Sequence, residues 1–208
     1  VGTVAFLIFE WGNPKTMGDM SFFDKLGAAL FQSITSRTAG YNSIDQAGLT
    51  DISKIFCIAL MFIGAAPAST GGGIKVTTAA VVIMTIVSVM RGYDDTVIMK
   101  YRVEKKAVYK AMALLFLALL LCISCSMLIH FMTDTAANPI DVVFEEVSAF
   151  GTVGLSTGLT AQLGTLSRYV LILSMYLGRV GPLSMVISLA VQAGRNKEVL
   201  PQGKILIG

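Results

Sequence analysis

The sequence predicts an all-α polytopic membrane protein assembled from two tandem units. Three observations carry that reading. The 208 residues are 54% hydrophobic and only 14% charged, with a mean hydropathy of +0.73, whereas an average soluble domain carries about 25% charge. Residues 111–129 form an uncharged apolar run long enough to cross a bilayer as a helix. The remaining apolar stretches are about half that length, meet at helix breakers, and recur in the two halves of the chain at one fixed offset.

The same composition excludes other classes. So apolar a chain is neither disordered nor an ordinary soluble enzyme. Its 20 glycines and 11 methionines suit packed membrane helices. The single histidine, His130, removes multi-histidine metal sites and histidine relays. The net charge of +3 comes with no basic stripe interleaved with aromatics, so no nucleic-acid partner is expected.

Taken in order, residues 1–9 (VGTVAFLIF) are apolar but too few to span. They read as the tail of a membrane helix that starts upstream. A signal peptide would need a basic leader and a small-residue cleavage site, and neither is present. Residues 22–36 (FFDKLGAALFQSITS) have helical patterning with an embedded carboxylate, which fits a re-entrant or interfacial helix. They run into the glycine loop 36–43 (SRTAGYNS). Next comes a broken span over 47–91, in which residues 55–63 and 76–90 are apolar arms around GAAPASTGGGIK at 64–75. Unwound backbone at membrane depth is tolerated only where protein buries it or water lines it, so such a break points to an ion or substrate path. A basic linker, 92–106, leads to the second unit, 107–194. That unit holds the 111–129 span, a short helix at 139–150, the loop 151–158 (GTVGLSTG), and two arms at 169–178 and 183–193 around Arg-Val-Gly-Pro. A tail, 195–208, ends the chain.

Charge orients these pieces. Nine of the 16 basic residues lie in 91–110 and 195–208, and nine of the 13 acids in 10–51 and 134–146. The positive-inside rule puts the linker and tail in the cytoplasm and both glycine loops outside. Lys75 is expected to snorkel to the cytoplasmic interface.

A shift of 114 residues aligns the halves without a gap. Thr38-Ala39-Gly40-Tyr41 falls on Thr152-Val153-Gly154-Leu155, Met61-Phe62-Ile63-Gly64 on Met175-Tyr176-Leu177-Gly178, and Leu49 on Leu163. The offset maps the start of the second unit's first helix, near Ala107, to a position before Val1, so the first unit is expected to lack the start of its first helix.

Paired loops of this kind can read an ion. A selectivity filter replaces an ion's hydration shell with backbone carbonyls. The geometry strains L-residues, and glycine reaches it at little steric cost. A short helix feeding the loop brings partial negative charge at its C-terminal end, which favours a cation. Thr38, Ala39 and Gly40, with Thr152, Val153 and Gly154, are therefore the candidate filter residues. A single T-x-G is as compatible with an ordinary turn; the pairing at matching places carries the reading. Each loop has one glycine where the TVGYG filter of K⁺ channels has two, so dehydration should concentrate at Gly40 and Gly154.

SRTAGYNS, LMFIGAAPASTGGGIKVTT, SAFGTVGLSTG and MYLGRVGPLSM, in that order, resemble the superfamily of Ktr, Trk and HKT potassium transporters, over nearly the whole chain. Within it the chain looks like the C-terminal half of a bacterial Ktr-type membrane subunit, on Pro67-x-Ser-Thr, Lys75-x-Thr-Thr and the short tail. The resemblance implies two of four M1–pore helix–M2 repeats around one pore, with K⁺-channel-like pore loops. It makes Gly64, Ala65, Ala66, Pro67, Ala68, Ser69, Thr70, Gly71, Gly72 and Gly73 an intramembrane gate, with Arg179 projecting to the pore beneath the filter, where intramembrane charge marks function. It implies K⁺ as the transported ion, Na⁺ as an activating or coupled ion, no covalent cofactor and no transition metal. The implied partners are the missing N-terminal half of the polypeptide, a second copy in a homodimer, membrane lipids and a cytoplasmic nucleotide-binding regulatory ring. The implied place is a bacterial plasma membrane. Ala65, Ala66 and Ala68 stand where some members have more glycine, and Tyr41 where Phe is commoner.

Other constellations are weaker. Cys122-x-x-Cys125 would suggest a membrane thiol oxidoreductase, but it lies inside an uncharged span with no second pair, where small residues serve helix packing. Glu145 and Glu146 are adjacent on a helix and point in different directions, so they do not share acid–base work, though one can hydrogen-bond the back of the filter. STGGGIKVT departs from phosphate-loop spacing because Ile74 intervenes. Two further alternatives stay open: a Na⁺-conducting relative and a non-conducting scaffold subunit.

Overall fold

The computed structural model describes residues 1–67, 69, 71–93, 95–98, 101–133 and 137–181. Ala68 and Thr70 of the expected gate, the arm at 183–193 and the tail 195–208 lie outside the described residues. The elements run α1 (Gly2–Glu10), α2 (Phe22–Thr35), α3 (Asp51–Phe62), α4 (Val76–Met90), β1 (Val97–Ile98), β2 (Tyr101–Arg102), α5 (Lys105–Met132), α6 (Pro139–Phe150), α7 (Leu159–Gln162) and α8 (Thr165–Val180).

Local chemistry sets the helix starts. Ser21 and Thr50 accept from the amides of Asp24 and Ser53 and so cap α2 and α3. Asn138 accepts from the Ile140 amide ahead of Pro139, which suits the first helical position. Gly181, at φ 88°, ends α8.

Helix α5 has 28 residues, about 42 Å at 1.5 Å per residue, against a hydrocarbon core of about 30 Å. Among the described residues it alone is long and apolar enough to cross a membrane by itself. One stripe of it is buried, Ala111, Ala118, Cys122, Ser126 and Ile129, while Phe116, Ile123, Met127 and Phe131 are exposed. Small residues on the buried stripe let backbones approach, and α6 packs there.

Helix α6 is the centre of the fold. It packs against α3, α5 and α8, and Val142 and residues 144–150 are buried. Helices α1 and α2 pack together beside it, with α1 also touching α3. The break between α3 and α4 is drawn shut at its neck by a parallel bridge between Ile63 and Ile74, with the Ile74 amide donating to the Phe62 carbonyl at 3.2 Å. Helices α3 and α8 begin at Asp51 and Thr165, 114 residues apart.

The structure corrects three details. The linker is not a plain basic tether: Val97 pairs with Arg102 and Ile98 with Tyr101 in a two-stranded hairpin, and Arg102 Nε and Lys105 Nζ face the Asp95 carboxylate at 2.9 and 3.6 Å. Helix α5 begins at Lys105, before the expected boundary at 107, because lysine is a good helix former. Lys75 does not extend away from the loop; its ammonium donates to the Gly71 carbonyl. Carbonyls of a non-helical loop are free acceptors, and the four-carbon stem reaches back to one.

Candidate functional site

Helices α2 and α6 each deliver a C-terminal end to a glycine loop. Gly40 and Gly154 have φ of 73° and 93°, and among the described residues Thr38 (φ 85°) and Thr152 (φ 53°) are the non-glycine residues with positive φ. That region costs an L-residue about 1–2 kcal/mol, so something must hold it. The helix ends do. The amides of Ala39 and Gly40 donate to the Thr35 carbonyl at 3.2 and 3.4 Å. The amides of Thr152 and Val153 donate to the carbonyls of Ala149 and Ser148 at 3.0 and 2.9 Å. Hydroxyls add a second tie: Thr35 Oγ1 donates to the Tyr41 carbonyl at 2.7 Å, and Ser148 Oγ to the Leu155 carbonyl at 2.6 Å. Those two carbonyls are again 114 residues apart.

These bonds engage amides and leave carbonyls. Among the described residues, none of the carbonyls of Thr38, Ala39, Gly40, Thr152, Val153 and Gly154 accepts a hydrogen bond. Ala39 and Gly154 are exposed, Thr38, Gly40 and Thr152 half-buried and Val153 buried, so these six carbonyls are open acceptors that a cation or water can reach. The two triplets adjoin. A Cβ added at Gly40 would fall against the Val153 carbonyl oxygen, and one at Gly154 would lie 3.7 Å from Gly40 Cα. Open hollows flank the pair, one of about 680 Å³ beside Gly154 and Leu155 and one of about 530 Å³ beside Thr38 and Ala39.

Gly71 and Gly72 of the 64–75 loop pack directly on these triplets. The Gly72 amide donates to Thr152 Oγ1 at 2.7 Å, and a Cβ at Gly71 would meet the Thr38 methyl. The loop keeps some internal order: the Ser69 amide donates to the Ala66 carbonyl at 3.1 Å and the Val76 amide to the Ala65 carbonyl at 3.4 Å. Gly178 of α8 seats against the Phe150 carbonyl so closely that no side chain fits. A Cβ at Gly72 would in turn lie 3.1 Å from the Gly178 carbonyl oxygen. Arg179 therefore stands beside a residue that touches both the loop and the end of α6; it is exposed.

The two adjacent glutamates diverge as expected. Glu145 accepts from Ser156 Oγ (2.7 Å), the Thr157 amide (2.9 Å) and Thr160 Oγ1 (2.6 Å), pinning the segment beyond Gly154. Glu146 accepts from Ser174 Oγ of α8. Cys122 lies in the packed stripe and Cys125 is partly exposed; both are free. Among the described residues no group of His, Cys, Asp and Glu could hold a metal.

Several residues that shape the site escape sequence reasoning. Thr35 and Ser148 are hydroxyl residues near the ends of helices that precede T-x-G, a recognisable signal in hindsight. Glu10, fully buried, accepts from the Thr50 amide and Oγ1 (2.9 and 2.7 Å) and from Asn13 Nδ2 and Thr16 Oγ1 (2.6 and 2.5 Å), joining α1 to the head of α3. Gln32 and Gln46 pair through their amides at 2.7 and 3.1 Å. Lys54 Nζ reaches Asp141 Oδ1 at 2.7 Å.

Residues 2–199 match the family model described as TrkH, cation transport protein. The chain is 38% identical over its whole length to Ktr system potassium uptake protein B of Bacillus subtilis (strain 168), covering 46% of that protein. It is 40% identical over 91% of its length to the protein of the same name from Vibrio alginolyticus, covering 41% of it. It is 35% identical to the potassium/sodium uptake protein NtpJ of Enterococcus hirae, covering 47% of it. The fold is similar to the crystal structure of the potassium transporter TrkH from Vibrio parahaemolyticus, with a TM-score of 0.72 at 19% identity, over 93% of this chain and 42% of that one. The chain thus spans just under half the length of these curated relatives.

Proposed function

The chain belongs to the TrkH family of cation transport proteins, and from that premise we propose that it forms two walls of a four-walled potassium-uptake pore, as part of a Ktr-type membrane subunit. Membership makes it a membrane protein and a transporter, not an enzyme, so Cys122 and Cys125 have no redox chemistry to perform. The six unpartnered carbonyls on two adjoining loops carry the proposal. Such carbonyls replace water around a permeating cation, and the C-terminal ends of α2 and α6 add favourable partial charge. The recurrence at 114 residues of the helix starts, the positive-φ threonines and the tethered carbonyls supports a tandem M1–pore helix–M2 reading.

In this reading 1–91 and 107–194 are the two repeats, and the hollows beside the triplets leave room for two further walls from the rest of a longer polypeptide. Transport is passive. The 64–75 loop lies against the filter and serves as gate, with the Gly72–Thr152 hydrogen bond holding it shut and Arg179 placing positive charge below the filter. The glycine loops face outside; the 91–110 linker and the tail face the cytoplasm, where they would meet a nucleotide-binding regulatory ring. The whole subunit acts as a homodimer in a bacterial plasma membrane. Selectivity for K⁺ over Na⁺ is favoured by four closely placed carbonyl strands, while conduction of Na⁺ has support in the name of the Enterococcus hirae relative.

The experiment is K⁺ uptake by K⁺-depleted cells expressing the full-length protein. Gly40→Ser and Gly154→Ser should each lose uptake or its preference for K⁺. Normal uptake with both variants would refute a carbonyl filter at these loops.

A further inference from the structure

We infer that the partly buried Lys54–Asp141 ion pair is a positioning strut that sets the spacing of the two filter walls and thereby tunes ion selectivity; the inference rests on the pore reading above. Lys54 Nζ meets Asp141 Oδ1 at 2.7 Å, with the lysine side chain 6% and the aspartate 23% exposed. The residues are 87 positions apart. Lys54 lies in α3, the helix that follows the 38–40 loop, and Asp141 in α6, the helix that precedes the 152–154 loop.

Local electrostatics does not account for the lysine. It sits in the first turn of α3, where the positive end of the helix dipole disfavours a cation, and it is desolvated there, which is costly for any charge. Asp141, in the first turn of α6, is by contrast well placed for its own helix. Among the described residues neither side chain has another hydrogen-bond or ion-pair partner. The pair therefore acts between elements. Fixing register is the best-attested use of a buried ion pair.

The α3–α6 interface has contacts at both ends, polar at the heads and apolar or close-packed backbone at the tails. Lys54 and Asp141 join the heads of the helices. At their tails, Phe62 stacks on Phe150 with ring centroids 6.2 Å apart at 27°, and a Cβ at Gly151 would lie 2.8 Å from the Met61 carbonyl oxygen. The stack permits sliding because apolar contact is non-directional. The ion pair limits it, because the ammonium must stay within hydrogen-bond reach of the Asp141 carboxylate. A slip of α6 along α3 would carry Thr152, Val153 and Gly154 past Thr38, Ala39 and Gly40. A basic residue recurs at the corresponding place in α8, where Arg168 donates to the Ala161 carbonyl at 2.9 Å.

The test measures K⁺ and Na⁺ flux into proteoliposomes containing the full-length protein. Asp141→Asn alone strands the buried Lys54 charge and Lys54→Met a half-buried carboxylate, and either can fail to assemble, so the deciding variant is the double Lys54→Met/Asp141→Leu, which apolar packing tolerates. It should fold and conduct, with the K⁺/Na⁺ flux ratio lowered about tenfold, the scale of coupling between contacting side chains. The charge-swapped double Lys54→Asp/Asp141→Lys should restore much of the ratio. An apolar double with the wild-type ratio would overturn the inference, leaving a simple fold clamp. So would an apolar double that cannot assemble, or a swap no more selective than the apolar double. If instead the wild type carries no K⁺, or Gly154→Ser keeps wild-type selectivity, the pore reading itself fails.

Discussion

Gly40 and Gly178 exclude side chains for different reasons, and the difference sorts their variants. Gly40 combines φ of 73° with a carbonyl where a Cβ would go. Gly40→Ala therefore costs about 1–2 kcal/mol in backbone strain and displaces the Val153 carbonyl, so K⁺ preference should fall while the rest of the fold stays intact. Gly178 is helical, and its Cβ would strike the Phe150 backbone, which cannot move aside cheaply. Gly178→Ala should lower the melting temperature of the purified full-length protein through overpacking, on the order of 1–3 kcal/mol. The hydroxyl tethers give a third outcome. Thr35→Val and Ser148→Ala each strand a carbonyl next to the filter triplet, at about 1–3 kcal/mol, and should reduce K⁺/Na⁺ selectivity in flux measurements. Cys122→Ser should leave flux unchanged. The triplets themselves were legible in sequence because glycine after a hydroxyl residue recurs at one offset. Lys54–Asp141 and Glu10 were not, because a buried charge in sequence looks like any other; only the fold reveals its partner.

Among the elements, α5 and the apolar arms that became α3, α4 and most of α8 could be read directly, since uninterrupted apolar runs bounded by Gly or Pro leave few choices. The hairpin at 97–102 could not, because two-residue strands carry no periodic signal. Helix α5 also extends into a basic stretch that reads as a linker by charge alone. The 64–75 loop shows where sequence reasoning stops: its small residues announce a break, but not that Lys75 folds onto Gly71 or that Gly72 reaches Thr152. Thr152→Val keeps the β-branched shape and removes the acceptor. Amide exchange at Gly72 in the full-length protein should then accelerate about fivefold, matching one net hydrogen bond of about 1 kcal/mol. Unchanged exchange would mean the bond does not hold the loop.

For the protein as an assembly, the parts agree in one arrangement. Two short helices, α2 and α6, end at adjoining loops, residues 71 and 72 between α3 and α4 lie against those loops, and glycines line the close approaches. In the proposed topology the loops and the linker lie on opposite sides of a bilayer, as the basic residues gathered in 91–110 and 195–208 favour. That arrangement makes one demand above all: a dehydrated cation must sit between main-chain oxygens of residues 38–40 and 152–154. Anomalous diffraction from crystals of the full-length protein grown in Rb⁺ would locate it. The expected result is a density peak within coordination distance of both triplets. A structure with Rb⁺ bound elsewhere and neither triplet in contact with it would contradict the account.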